Sequence, residues 1–284
     1  MSSSERLPIL KTFKLFINGA FPRTESGRTM IVNAADGAAI AHLCLASRKD
    51  LRNAVAAART AQSGWQKRSA YNKGQVLYRM AEMLEGKSAE FLGAGCEPIE
   101  ITEAIDRLVA FAGWADKYPQ ILGCANPVAG PFHNFTIPEA TGVVGVIAPD
   151  ELPLLGLISL IAPVLCAGNS VVALGSSAQP LPTALFAEVC ATSDVPAGVV
   201  NLLTGQVYAL IAHFASPRDV DAIHAGGCNT EDTRTLDMGA AENLKRVTVR
   251  DLVADQWYQR RDCHSPYWIE SFVEMKTLWH PLAT

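Results

Sequence analysis

Between Gly142 and Phe214 short, mostly apolar runs alternate with helical ones, and that alternation leaves the chain few folds to choose from. Gly142-Val-Val-Gly-Val-Ile-Ala-Pro149 is a continuous apolar run closed by proline, as a strand buried on both faces of a parallel sheet requires. Leu154 to Ala167 then reads as a helix, Asn169-Ser-Val-Val-Ala-Leu174 as a second buried strand and Thr183 to Cys190 as a helix. Val199 to Leu203 gives a third strand, and Gly205 turns the chain into a helix over Val207 to Phe214. Strands joined by helical crossovers predict an α/β fold, a Rossmann-like parallel sheet with helices on both faces.

The flanks read differently. Lys14 to Gly19 alternates like a hairpin strand, and Met30 to Asn33 follows the Ser26-Gly27 turn as another. Ser47 and Asp50 form a helix start, and Leu51, Val55 and Ala58 share one face until Ser63-Gly64, where a stop is expected. Further helices are predicted over 72–84, 101–115 and 236–244. Tyr118 to Ala140 mixes prolines and glycines with aromatics, and reads as an extended, exposed arm.

Composition narrows the class. The 24 basic residues against 28 acidic ones leave a charge of −4 with no long run of either sign, which disfavours nucleic acid or an anionic membrane as partner. Seven cysteines, never spaced as a CxxC pair, suit buried thiols in a reducing compartment. Met1 to Arg6 is polar, and the apolar stretch Leu152 to Ala167 is interrupted by two prolines and a serine, so a cytoplasmic protein is expected.

Three segments in order, Gly142 to Pro149, Leu165-Cys-Ala-Gly-Asn-Ser-Val-Val172 and Val195-Pro-Ala-Gly-Val-Val-Asn-Leu-Leu-Thr-Gly205, closely resemble the cofactor domain of the NAD(P)-dependent aldehyde dehydrogenases. The resemblance reaches back through Phe16-Ile-Asn-Gly19 and Ala54 to Trp65, and forward through Ala240 to Val247 and Glu274-Met-Lys-Thr277. It implies a catalytic domain between Val247 and the terminal strand, yet only a short stretch separates them here. Catalytic residues are therefore expected to be none, because no cysteine stands in the family's nucleophile context, which calls for a thiolate. Cys263, flanked by Asp262 and His264, departs from that motif, and a thiol-based esterase built on it is the rival reading.

Other departures follow from the same resemblance. The family's Trp-Asn-Phe-Pro loop, whose asparagine donates to an oxyanion, reads Asp150-Glu-Leu-Pro153, placing Glu151 where a donor is needed. Leu174 stands at the ribose-binding lysine and Ser177 at its glutamate; the general base is replaced near Arg250, and the pyrophosphate turn is reduced to Gly226-Gly227-Cys228. Ile147, Pro149, Ser176, Gly205 and Gly227 remain as vestigial cofactor-binding candidates, although turns and helix caps alone explain them. NAD is a weak expectation, and no metal site is expected.

The domain division implied is a cofactor-type unit over 1–117 and 142–252, with an oligomerisation arm and terminal strand over 118–141 and 265–284. Trp257, Tyr258, Tyr267, Trp268 and Trp279 are expected on an apolar face that a lost lobe once covered. In the family the arm and last strand build a shared sheet between subunits, and both survive as Pro127 to Glu139 and Ile269 to Trp279. The layout resembles the second module of the two-module aldehyde dehydrogenases. It implies a non-catalytic subunit of a full-length aldehyde dehydrogenase, or a homodimer; a degenerate dehydrogenase and an NAD-binding regulator are the alternatives.

Overall fold

A computed structural model describes residues 9–34 and 37–282; the polar start at Met1 to Arg6 lies outside them. A small sheet comes first, with β1 (Lys11–Phe13) parallel to β3 (Ala39–Cys44), which pairs antiparallel with β2 (Thr29–Asn33). The strand expected over Lys14 to Gly19 is not one. Asn18 and Gly19 adopt left-handed backbone and reverse the chain at an Ile17–Ala20 bridge, while Phe16 bridges instead to Leu202.

Four N-terminal helices follow: α1 (Arg48–Gln66), α2 (Ala70–Gly86), α3 (Ser88–Gly93) and α4 (Pro98–Trp114). α1 begins at a capping box in which Ser47 and Asp50 each satisfy the other's backbone. It runs through the expected stop at Ser63-Gly64, because buried Trp65 donates its indole N–H to Leu165 O at 3.2 Å and holds the last turn down. The short α5 (Tyr118–Leu122) replaces extended chain at the start of the arm, since buried Tyr118 anchors it. β4 (Cys124–Asn126) and β5 (Phe132–Ala140) then form the arm.

The central sheet is the one the alternation predicts. β6 (Val143–Ile147), α6 (Leu155–Cys166), β7 (Ser170–Leu174), α7 (Leu181–Ala191), β8 (Val200–Leu203), α8 (Val207–Ala215), β9 (Ala222–Gly226), α9 (Thr230–Ala241) and β10 (Arg246–Arg250) follow one another. All five strands are parallel, in the order β10-β9-β6-β7-β8. β6, β7, β8 and β9 are buried at every residue, which explains why all of their residues but Ser170, Asn201 and His224 are apolar. α9 starts earlier than 236 because Asn229 accepts from Asp232 N and caps it.

After β10 come three single-turn helices, α10 (Ala254–Trp257), α11 (Arg260–Cys263) and α12 (Tyr267–Glu270), and then β11 (Val273–Pro281). β11 pairs antiparallel with β5 along its whole length, giving a sheet ordered β11-β5-β4. The terminal strand thus starts at Val273, not Ile269, whose side chain is buried in α12. The expected exposed aromatic face is also overturned. Trp257 and Trp268 are buried in the core beside Ile269 and Phe272, so segment 251–272 covers that face itself, and only Tyr267 and Trp279 of the five are exposed.

Candidate functional site

In an open parallel sheet the ligand crevice lies beyond the carboxyl ends of the strands, where the winding direction reverses. Here that point lies between β6 and β9, the first strand of the sheet and the fourth lying side by side. The residues leaving those two strands are Ala148-Pro149-Asp150 and Gly226-Gly227. The sheet therefore brings Pro149 and Gly227 together, two of the five cofactor candidates.

At Gly226 and Gly227 the crevice is packed by protein atoms, while a pocket lined by Cys228, Thr233, Val249 and Asp251 stays open beyond the ends of β9 and β10. A Cβ on Gly226 would stand 3.1 Å from the Trp257 indole and 3.4 Å from the Pro149 ring. Gly227, at φ +65°, faces the Pro149 side chain, 2.9 Å from where its Cβ would be. The indole sits where the glycines would admit a ligand's backbone-close approach. Trp257 is in turn fixed by its carbonyl, which accepts from Arg107 Nη2 at 2.7 Å; Arg107 is fully buried and also donates to Ser159 Oγ.

The loop after β7 is occupied as well. Asp150 Oδ1 accepts from Ser176 Oγ at 2.7 Å, Ser177 N at 2.8 Å and Ala178 N at 3.0 Å. Successive backbone N–H groups converging on one oxygen make an anion-binding concavity, and the chain's own carboxylate fills it. Ser176, a third candidate, is buried and spent on this contact and on accepting from Gln179 N. Ser177 Oγ donates to Gly205 O and accepts from Val207 N, so it starts α8. Gly205, the fourth candidate, serves that turn, and Ile147, the fifth, is buried in β6 between Leu174 and Ala225. Leu174 is itself wholly buried.

Sequence reasoning singled out Glu151 and passed over its neighbour. Glu151 is exposed, and Asp150 carries the interactions. The signal was available: three polar residues, Ser176, Ser177 and Gln179, follow a buried strand and need an acceptor. Glu100 was missed too. Buried on α4, it accepts from Leu154 N and Leu155 N at 2.8 and 3.1 Å and caps α6, which has no cap of its own. Burial pushes its carboxyl up.

At the end of β10, Arg250 Nε donates to His224 Nε2 at 3.1 Å, and its guanidinium lies 4.2 Å over the Trp268 ring. His224 is buried, its Nδ1 2.9 Å from Leu160 O, and burial followed by the neighbouring Arg250 charge holds its pKa well below the usual value. Cys263 does not form a nucleophile pair with His264. Its thiol is buried and donates to Gln256 O at 3.4 Å, and burial pushes its pKa up, away from the thiolate. No cluster of three or more His, Cys, Asp or Glu able to hold a metal occurs among the described residues.

The sequence of the aldehyde dehydrogenase family, taken as a family model, matches residues 21–250. The chain belongs to the aldehyde dehydrogenase family. A 2-hydroxymuconic semialdehyde dehydrogenase of Pseudomonas sp. (strain CF600) is 38% identical over 253 residues, 84% of this chain and 52% of that protein. A mitochondrial benzaldehyde dehydrogenase of Antirrhinum majus is 32% identical over 249 residues, 83% of this chain and 46% of that one. Among solved structures, the NAD+ complex of the aldehyde dehydrogenase from Bacillus cereus superposes with a TM-score of 0.78 at 26% identity, over 84% of this chain and 50% of that chain. The chain thus spans about half the length of the curated relatives it matches. Among the described residues no helix is long and apolar enough to cross a membrane.

Proposed function

We propose that this aldehyde dehydrogenase family member is a non-catalytic subunit that assembles through β5 and β11 with a full-length aldehyde dehydrogenase and supports or regulates it. The observation that carries the reading is Asp150, whose carboxylate occupies the N–H concavity of the loop where the family resemblance puts ribose contacts. Together with the Trp257 indole against Gly226, it leaves residues that do not fit a dinucleotide. Between Arg250 and Val273 the chain holds only three single-turn helices, and the one cysteine there is buried and protonated.

The arm supports the assembly half of the reading. β11 lies at the edge of its sheet, and beyond Val273, whose carbonyl accepts from Arg246 Nη1, no strand pairs with its other side among the described residues, which makes it a template for strand pairing. Met275 and Trp279 stand exposed on it. On this reading the arm and strand over 118–141 and 265–284 serve assembly, and the rest of the chain, over 1–117 and 142–252, is the cofactor-type scaffold. All seven cysteines are free, which suits a reducing compartment such as the cytoplasm.

Co-purification from the host, with mass by light scattering, tests the assembly, and a complex containing a full-length aldehyde dehydrogenase is expected. A homodimer with no dehydrogenase attached overturns the heteromer. Calorimetry with NAD and an assay over a panel of aldehydes test the loss of chemistry; turnover abolished by Cys263→Ser sinks it.

A further inference from the structure

Five basic side chains from three separate segments converge on one cleft away from the sheet's crevice. Arg28 comes from the approach to β2, Arg48, Lys49 and Arg52 from the start of α1, and His213 from the end of α8. The cleft measures about 740 Å³, within the size range of small-molecule sites, and no carboxylate lines it among the described residues. Its floor is apolar, formed by Ala46, Ala209 and Leu210.

The cations are largely uncompensated. Lys49 pairs with Glu25 at 2.8 Å, whereas Arg28, Arg48 and Arg52 make no ion pair among the described residues. Arg48 and Arg52 stand four apart on one helix face, where like charges repel, and three basic residues in the first turns oppose the helix dipole. Burial, followed by the neighbouring Arg48 charge, holds the His213 pKa below its usual value. In a chain of net charge −4, this local excess is invisible to the overall balance.

We propose that this cleft binds a small diphosphate or triphosphate anion. Three uncompensated guanidinium groups match the charge of two adjacent phosphoryl groups, and guanidinium forks suit bidentate phosphate contacts. The apolar floor gives the rest of an organic ligand somewhere to lie. This site is independent of the assembly reading above, and it uses none of the residues at the sheet's crevice.

Calorimetric titration of the full chain with inorganic pyrophosphate, ADP and AMP tests it. Saturable one-to-one binding of pyrophosphate is expected, with AMP weaker on the order of tenfold or more. ADP tighter than pyrophosphate makes a nucleotide the source; equal affinity makes the phosphates alone sufficient. Arg48→Glu combined with Arg52→Glu should lose on the order of tenfold or more, and Arg28→Gln, in a different segment, should weaken binding in the same direction. Arg79→Glu, an exposed change on α2 outside the cleft, should leave it unchanged. Absence of saturable binding, an affinity untouched by the cleft variants, or an equal loss in Arg79→Glu overturns the proposal.

Discussion

Arg250 Nε donates to His224 Nε2 across 3.1 Å, and that contact fixes the histidine as the neutral tautomer whose Nδ1–H donates to Leu160 O. A second proton on His224 would have to displace the guanidinium. The pair links β10 to β9 inside the sheet and, through the Trp268 ring, to the segment that closes the crevice.

The pH dependence follows from the sign of that shift. His224 is held well below its usual pKa when folded, so only the unfolded chain takes up its proton as pH falls below about 6.5. Its contribution is fully present above that value and is lost below it, at up to about 1.4 kcal/mol per pH unit. His264, at about 4, acts in the same direction. Denaturant unfolding from pH 7 to pH 5 should show falling stability, with a shallower slope in His264→Gln; a flat profile would contradict the buried neutral histidines.

Arg250→Met removes the cation from the Trp268 face and the donor from His224. A loss of about 2 kcal/mol is expected from the partly desolvated cation–π contact, with faster proteolysis confined to 251–272. Trp257→Ala, which empties the space against Gly226, should cost about 3–5 kcal/mol. Thermal melts and peptide mapping check both.

Asp150→Ala strips the acceptor from Ser176 Oγ, Ser177 N and Ala178 N at once. Hydrogen bonds to a charged group suggest a loss of about 1.5–3 kcal/mol, and the freed concavity should then take up an anion such as sulfate. Stability that does not rise with sulfate in the variant would refute the account of this loop.

Glu100→Ala leaves the first N–H groups of α6 without an acceptor inside the core. A loss of about 2 kcal/mol is expected, since N-caps contribute up to that much and the site is buried. Chemical denaturation of this variant beside Glu97→Ala, at an exposed helix start, measures it.

Trp279→Arg separates folding from assembly. The side chain is 60% exposed and touches Phe132 edge-on, so the melting temperature should change little. If the free side of β11 pairs with another chain, the complex should fall apart in light scattering; an intact complex would point to another surface.

The central sheet was legible because burial on both faces writes itself as apolar runs at Val143–Ile147 and, after Ser170, through the rest of β7. Helix starts were legible at Ser47 and Asp50 and within one residue at α6, whereas α9 starts six residues before the expected 236 although its cap, Asn229, is local. α6 takes its cap from Glu100, fifty-odd positions upstream, and no local pattern reports that. Departures from the family's motifs were expected at Glu151, Leu174 and Arg250, but the partners of the residues around them could not be read from the sequence. Asp150 finding Ser176, and Trp257 finding Gly226, are long-range events decided by the fold.

Because segment 251–272 lays Trp257, Trp268 and Ile269 over the sheet's own core, most of that apolar face is covered from within the chain, with Val253 and Tyr267 left exposed. If the chain is a subunit as proposed, its supply in the cell need not be matched copy for copy to that of a companion chain: surplus molecules can stay folded on their own account, and the ratio between the two becomes a variable open to control.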